Sequence, residues 1–266
     1  FDLKAIPESL DLKTCSLESL TLQLNIEGCR IAQKAIEKYR AQSDYDGRPL
    51  FVAGSIGPSN YVVSSTQANL NKTAFGQIVE NFYHQVCGLI EGGADVLLIE
   101  TQQDILETKA IIEGANKAFA EKKTKLPMIV QATVDVFSKM QIFNTDIHAA
   151  YTAVSGMGID VFGINCNVGP DEMVATVEKL SRFCRHPISV VPNAGQPISE
   201  DGQTRYKLSP EDMVNTMEPF VREHGVVIVG GCCGTTPAHI KALRKKLDGV
   251  TPATRQLDEK IYVSGP

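Results

Sequence analysis

Six short apolar runs punctuate the chain, at residues 50–53, 96–99, 128–132, 161–164, 188–191 and 226–229. Each is apolar at successive positions rather than at alternate ones. That is the pattern of a strand covered on both faces in a parallel sheet. Successive run ends lie 46, 33, 32, 27 and 38 residues apart, which leaves room for one crossover helix in every interval. Helical periodicity fills those intervals. Phe75, Ile78, Val79, Phe82, Val86, Leu89 and Ile90 form one stripe of an amphipathic helix. Ser209-Pro210-Glu211-Asp212 reads as an N-cap, a first-turn proline and first-turn acids, and Thr236-Pro237 opens a last helix that ends in Arg244-Lys245-Lys246. Leu17, Leu20, Leu24 and Ile31 mark a helix ahead of the first strand.

Alternating strands and helices of this kind define an α/β fold. Polar or glycine-rich segments follow the strands, five of them being Gly54-Ser55-Ile56-Gly57-Pro58, Glu100-Thr101, Asn165-Cys166-Asn167, Pro192-Asn193-Ala194-Gly195 and Gly230-Gly231-Cys232-Cys233-Gly234. Chemistry spread over many strand ends favours a (β/α)8 TIM barrel over a doubly wound sheet, which concentrates its site at one switch point. Only six strands can be read, two fewer than a closed eight-stranded barrel needs. Residues 1–250 form that barrel unit, and the polar stretch 251–266 reads as a linker toward a following module, its run at 260–263 being the start of that module.

Composition narrows the function classes. A net charge of −5 with no basic cluster disfavours nucleic acid as the partner. No run approaches the roughly 18 uninterrupted apolar residues of a membrane span, and the first residues lack a signal-peptide pattern, so a cytoplasmic protein is expected. Seven cysteines, an odd number thinly spread, make a poor disulfide framework and point to metal or catalytic use.

The strongest chemical signal is Gly230-Gly231-Cys232-Cys233-Gly234-Thr235. Consecutive strand side chains point to opposite faces. Two adjacent cysteines therefore reach one point only where the backbone leaves strand geometry, as flanking glycines allow. Cys166 occupies the matching position at another strand end. Three sulfurs without a fourth protein ligand describe a zinc site with an open position; the competing reading is a redox pair or plain buried thiols.

Asn165-Cys166-Asn167, Pro192-Asn193-Ala194-Gly195 and Gly230-Gly231-Cys232-Cys233-Gly234-Thr235-Thr236-Pro237 resemble the signature segments of the homocysteine S-methyltransferase family. The segments around residues 54–58 and 95–101 are similar to it in the same order, and within the family the match is most like the homocysteine-binding module of cobalamin-dependent methionine synthase. The resemblance implies a (β/α)8 barrel carrying zinc on Cys166, Cys232 and Cys233, with homocysteine sulfur in the fourth position. It further implies that Glu100 holds the substrate ammonium, with Asn193 nearby. The methyl would come from methylcobalamin, the cobalamin and methyltetrahydrofolate being carried by other modules of the same polypeptide or complex. Three thiolates around one Zn2+ leave the site at −1, which keeps a bound sulfur nucleophilic, and the transfer step calls for no general base. The family also begins with two strands that would precede residue 1, so the resemblance implies a barrel whose first two strands are absent from this chain; the carboxylate of the first of them, which shares the amino group with Glu100, has no counterpart here. Betaine or S-methylmethionine as direct donor, and a zinc-thiolate module without catalysis, are the alternatives.

Other candidates have plainer readings. Cys15, Cys29, Cys87 and Cys184 read as buried or surface thiols. His239 reads as a surface or capping residue of the last helix, and His84, His148, His186 and His224 lack metal-ligand spacing.

Overall fold

The computed structural model describes residues 17–64 and 74–259. In chain order the elements are α1 (Leu17–Arg40), β1 (Ala53–Ile56), α2 (Phe75–Glu91), β2 (Val96–Gln102), α3 (Ile105–Lys122), β3 (Met128–Ala132), α4 (Ile147–Val154), β4 (Val161–Asn165) and α5 (Pro170–Phe183). They continue with β5 (Ile188–Val191), β6 (Ile198–Glu200), β7 (Gln203–Arg205), α6 (Pro210–Arg222), β8 (Val226–Val229) and α7 (Pro237–Leu247). Six strands form one sheet in the order β1-β2-β3-β4-β5-β8, while β6 and β7 make a separate hairpin. Every pairing in the six-stranded sheet is parallel.

The spatial order follows the chain order without reversal. A doubly wound sheet reverses at its switch point, so this winding is that of a (β/α)8 barrel represented by six strands. Among the described residues the barrel is not closed: β1 and β8 are its two edges.

The core is built as the patterns require. Leu97 and Ile99 of β2, Ile164 of β4 and Ile188 and Val190 of β5 are fully buried, and Ile78 and Val86 of α2, Ile111 and Ile112 of α3, and Val177 and Leu180 of α5 pack against them. Ser209 caps α6 as its sequence predicts, accepting from the Asp212 N–H.

Three expectations shift. The first strand is Ala53–Ile56 rather than 50–53: Phe51 is exposed, and Gly54 enters the sheet because a side chain there would meet Leu89 and Ala94 of the covering layer. β2 runs on through Glu100 to Gln102 with an irregularity after Ile99, so Glu100-Thr101 is not yet loop. In α1, Leu24 and Ile31 face solvent, Ile31 at 68% exposure, whereas Ile26 and Cys29 are buried. Gly88 of α2 and Gly92 at its C-cap decide that orientation, because they let the α1 backbone at Leu22 and Ile26 approach too closely for any side chain between them. Cys15 and the run at 260–263 lie outside the described residues.

The stretch after Thr251 passes below the sheet, at the end opposite the functional loops. The Ala253 N–H donates to the Val221 carbonyl and the Asp258 N–H to that of Arg182, while the Arg255 guanidinium donates to the carbonyls of Cys184 and His186. Gly225, at φ 65°, makes room for it: an added Cβ would stand 2.4 Å from the Ala253 carbonyl oxygen. No described helix is long and apolar enough to cross a membrane.

Candidate metal centre

Cys166, Cys232 and Cys233 are brought together by the C-terminal ends of β4 and β8, the end at which barrels of this class keep their chemistry. Beyond Asn165 the backbone leaves strand geometry abruptly. Cys166 and Asn167 both adopt left-handed conformations, with φ of 62° and 67°, and the Val168 N–H closes back onto the Cys166 carbonyl. Two consecutive non-glycine residues in that region are costly, by about 1–3 kcal/mol each, and such strain concentrates at functional sites. Its effect is to swing the Cys166 sulfur out of the sheet toward the neighbouring loop.

The paired cysteines are fastened from the β5 side. The Cys232 N–H donates to the Pro192 carbonyl, the Ala194 N–H to the Cys233 carbonyl, and the Cys233 N–H to Asn193 Oδ1 at 3.1 Å. Sulfur–sulfur distances are 3.7 Å from Cys166 to Cys233 and 4.0 Å from Cys232 to Cys233, and the three sulfurs lie within 4.8 Å of one another. Tetrahedral zinc with bonds of about 2.3 Å sets its sulfurs about 3.8 Å apart. The trio fits that ion, and all three are free thiols. Among the described residues this is the one His/Cys/Asp/Glu group with such convergence.

The cluster's electrostatics depend on one charge. Hydrogen bonding from Cys232 holds the Cys166 thiol down at about 5, aided by the Asn167 backbone, Cys233 and the Asn193 side chain. Cys232 is pushed well up, first by its bond to Cys166 and then by burial. Cys233 is pushed up by burial and next by Cys166. Without a cation the trio thus supports one thiolate and resists a second; a divalent ion is the natural means of ionising all three.

Glu100, half-buried on β2, stands beside this cluster. Its Oε1 accepts from the Ser55 hydroxyl at the end of β1, and its Oε2 from Asn165 Nδ2 at 3.2 Å. Asn193 is buried and turned to the cysteines. Sequence reasoning passed over Ser55, Asn165 and Tyr206 as individual participants. Tyr206 lies directly on Gly234, where an added Cβ would stand 2.1 Å from the ring. Its phenol is pushed up by burial and then by Cys233. His239 proves to be capping but not surface: buried at 6% exposure, it takes the Thr236 N–H on Nδ1 and donates from Nε2 to the Leu208 carbonyl. It thereby ties the cysteine loop to the segment carrying Tyr206.

A six-stranded run of a (β/α)8 barrel with three converging cysteines at the C-terminal ends of its strands defines an α/β-barrel class whose sulfur cluster could hold a metal ion. The sequence profile of the homocysteine S-methyltransferase family matches residues 4–247, and the chain belongs to that family. It is 35% identical over 237 residues to a methionine synthase of Mycobacterium tuberculosis, covering 88% of this chain and 19% of that protein. Over 206 residues it is 35% identical to a methionine synthase of Mycobacterium leprae, covering 76% and 17%. The chain thus spans about a fifth of the length of these curated relatives. Among solved structures, the apo form of the homocysteine methyltransferase MmuM from Escherichia coli superimposes with a TM-score of 0.66 at 25% identity, covering 86% of this chain and 74% of that one. Its metallated form gives 0.63 at 24% identity, a likeness of fold.

Proposed function

We propose that the chain is the homocysteine-activating unit of a methionine synthase, transferring a methyl group to homocysteine sulfur. The convergence of Cys166, Cys232 and Cys233 beside the Glu100 carboxylate carries this reading. Zinc held by these three residues would supply the positive charge that deprotonates an incoming thiol near neutral pH and orients it in the open position.

The chain's own residues do the rest. Glu100, with its two oxygens fixed by Ser55 and Asn165, offers its remaining lone pairs to the substrate ammonium. Asn193 and His239 hold the cysteine loop in place from below. The thiol proton leaves to solvent, the sulfur attacks the methyl carbon, and the methyl–carrier bond breaks with its electron pair remaining on the carrier. A cytoplasmic setting suits the reading, since a reducing compartment keeps the three thiols available to metal.

For the donor we infer methylcobalamin presented by another module, with methyltetrahydrofolate as the upstream methyl source and residues 251–266 leading toward such modules. The support is that the relatives at 35% identity are methionine synthases about five times longer than the matched region. The test is methionine formation by the zinc-loaded protein, in its full-length context, with methylcobalamin, betaine or S-methylmethionine. The reading expects product with methylcobalamin alone. Product from betaine or S-methylmethionine without cobalamin overturns the donor, and failure with all three favours a zinc-thiolate module without catalysis.

A further inference from the structure

Asn165 is the last residue of β4 and has no exposed surface. Its side-chain carbonyl accepts the Thr101 N–H at 2.7 Å. Its amide nitrogen meets three acceptors: Thr101 Oγ1 at 2.8 Å, Glu100 Oε2 at 3.2 Å and Cys232 Sγ at 4.0 Å. Two amide hydrogens facing three acceptors are fully committed. The residue's own backbone carbonyl is held by the Thr133 hydroxyl at 2.7 Å, so neither its main chain nor its side chain is free to move. Thr101, which it fixes, sits at φ 60° next to Glu100, within the irregularity of β2.

We propose that Asn165 is a positioning residue that fixes the Glu100 carboxylate relative to the cysteine sulfurs, so that an aminothiol is gripped by its ammonium and its sulfur at once. The inference rests on the homocysteine reading above. A carboxylate and an anionic sulfur cluster that both reach one amide nitrogen repel each other, and a neutral amide donating toward both holds them together without adding charge. Because the amide is buried and saturated, the spacing is set before substrate arrives, which is what gives such a grip its value.

The test compares two ligands of the zinc-loaded protein: homocysteine, and 4-mercaptobutyrate, which has the same carbon chain, thiol and carboxylate but no amino group. Asn165→Asp keeps the acceptor for the Thr101 N–H and removes the donors; Asn165→Ala removes both. In each variant homocysteine affinity is expected to fall at least tenfold while 4-mercaptobutyrate stays within twofold of wild type. Zinc stoichiometry, and the thiolate charge-transfer absorption of the cobalt-substituted protein, should be unchanged. Equal weakening of the two ligands, no weakening of either, or loss of metal from the Asp variant would each overturn the assignment. If the Ala variant does not fold, the Asp variant decides alone. A wild-type protein in which zinc does not improve homocysteine binding overturns the underlying reading itself, an outcome separable because no variant is involved.

Discussion

Cys166 and Cys233 stand 3.7 Å apart, sulfur to sulfur, although 67 residues separate them in the chain. The contact is made by the ends of two strands that do not pair with each other, since β5 lies between β4 and β8 in the sheet. Three thiols gathered this way without a cation carry the cost of one shared negative charge, which a divalent ion bound there would remove. Replacing Cys166, Cys232 or Cys233 singly by Ser should therefore reduce zinc from one per chain to a small fraction, while far-ultraviolet circular dichroism stays within error of wild type. Full zinc occupancy in Cys232→Ser would remove that residue from the ligand set.

The same shifts fix a pH dependence. Cys166 holds its thiolate from about pH 5 upward, whereas Cys232 and Cys233 are pushed up by burial and by the Cys166 charge and stay protonated at neutrality. Zinc and protons compete for the same sulfurs, so raising the pH removes the competitor and tightens binding. Near neutrality about two protons should leave per zinc bound, and the logarithm of the affinity should climb by about two for each pH unit between about 6 and 8. Chelator-competition titrations measure this slope. A flat profile would mean that the metal-free trio is already ionised.

Glu100 tests the substrate end of the site. Its carboxylate is held on both oxygens, so Glu100→Gln retains the shape and most of the bonding but loses the charge. Homocysteine binding should weaken by about 1–3 kcal/mol, the range for a charge-assisted hydrogen bond lost, with zinc content unchanged. Calorimetric titration of homocysteine into both zinc-loaded proteins measures it, and equal affinities would leave Glu100 a structural acid serving Ser55 and Asn165.

Much of this was legible in the chain because strands covered on both faces read as continuous apolar runs, and those at 128–132 and 188–191 coincide with β3 and β5; the apolar run at 226–229 coincides with the edge strand β8, although Val227 there is exposed. β1 was misplaced because its residues Gly54 and Ser55 are poor strand formers, chosen here for close packing under Leu89 and for reach toward Glu100. The β6–β7 hairpin was overlooked although Asp201-Gly202, both at positive φ, is a strong two-residue turn signal; its strands are short and without an apolar face. At the site, the cysteines were readable from type and spacing. Asn165 stood inside a recognised segment, but its role depends on Thr101 and Glu100 across the sheet, which no local pattern encodes.

Gly163 offers a test of how far the metal centre depends on strand spacing. It lies in β4 opposite Ser189 of β5, where an added Cβ would stand 2.0 Å from the Ser189 carbonyl oxygen and 2.7 Å from its carbon. Both are backbone atoms of a paired strand, and the Ser189 hydroxyl is itself engaged by Gln131, so the neighbour cannot yield cheaply. Gly163→Ala must push β4 and β5 apart, at a cost of about 1–3 kcal/mol typical of overpacking. The damage should travel, because Cys166 leaves β4 three residues later while the Cys232 loop is anchored on Pro192 just beyond β5. Zinc affinity is accordingly expected to fall together with stability. Gly156→Ala serves as the control: that exposed position has open space for a methyl group and an ordinary φ, and its stability should stay within about 0.5 kcal/mol of wild type. Urea unfolding and chelator competition on both variants measure the two effects. Equal midpoints for the two alanine variants would contradict the tight β4–β5 contact, and destabilisation without loss of zinc affinity would show that the cysteine loops hold their geometry independently of the strands beneath them.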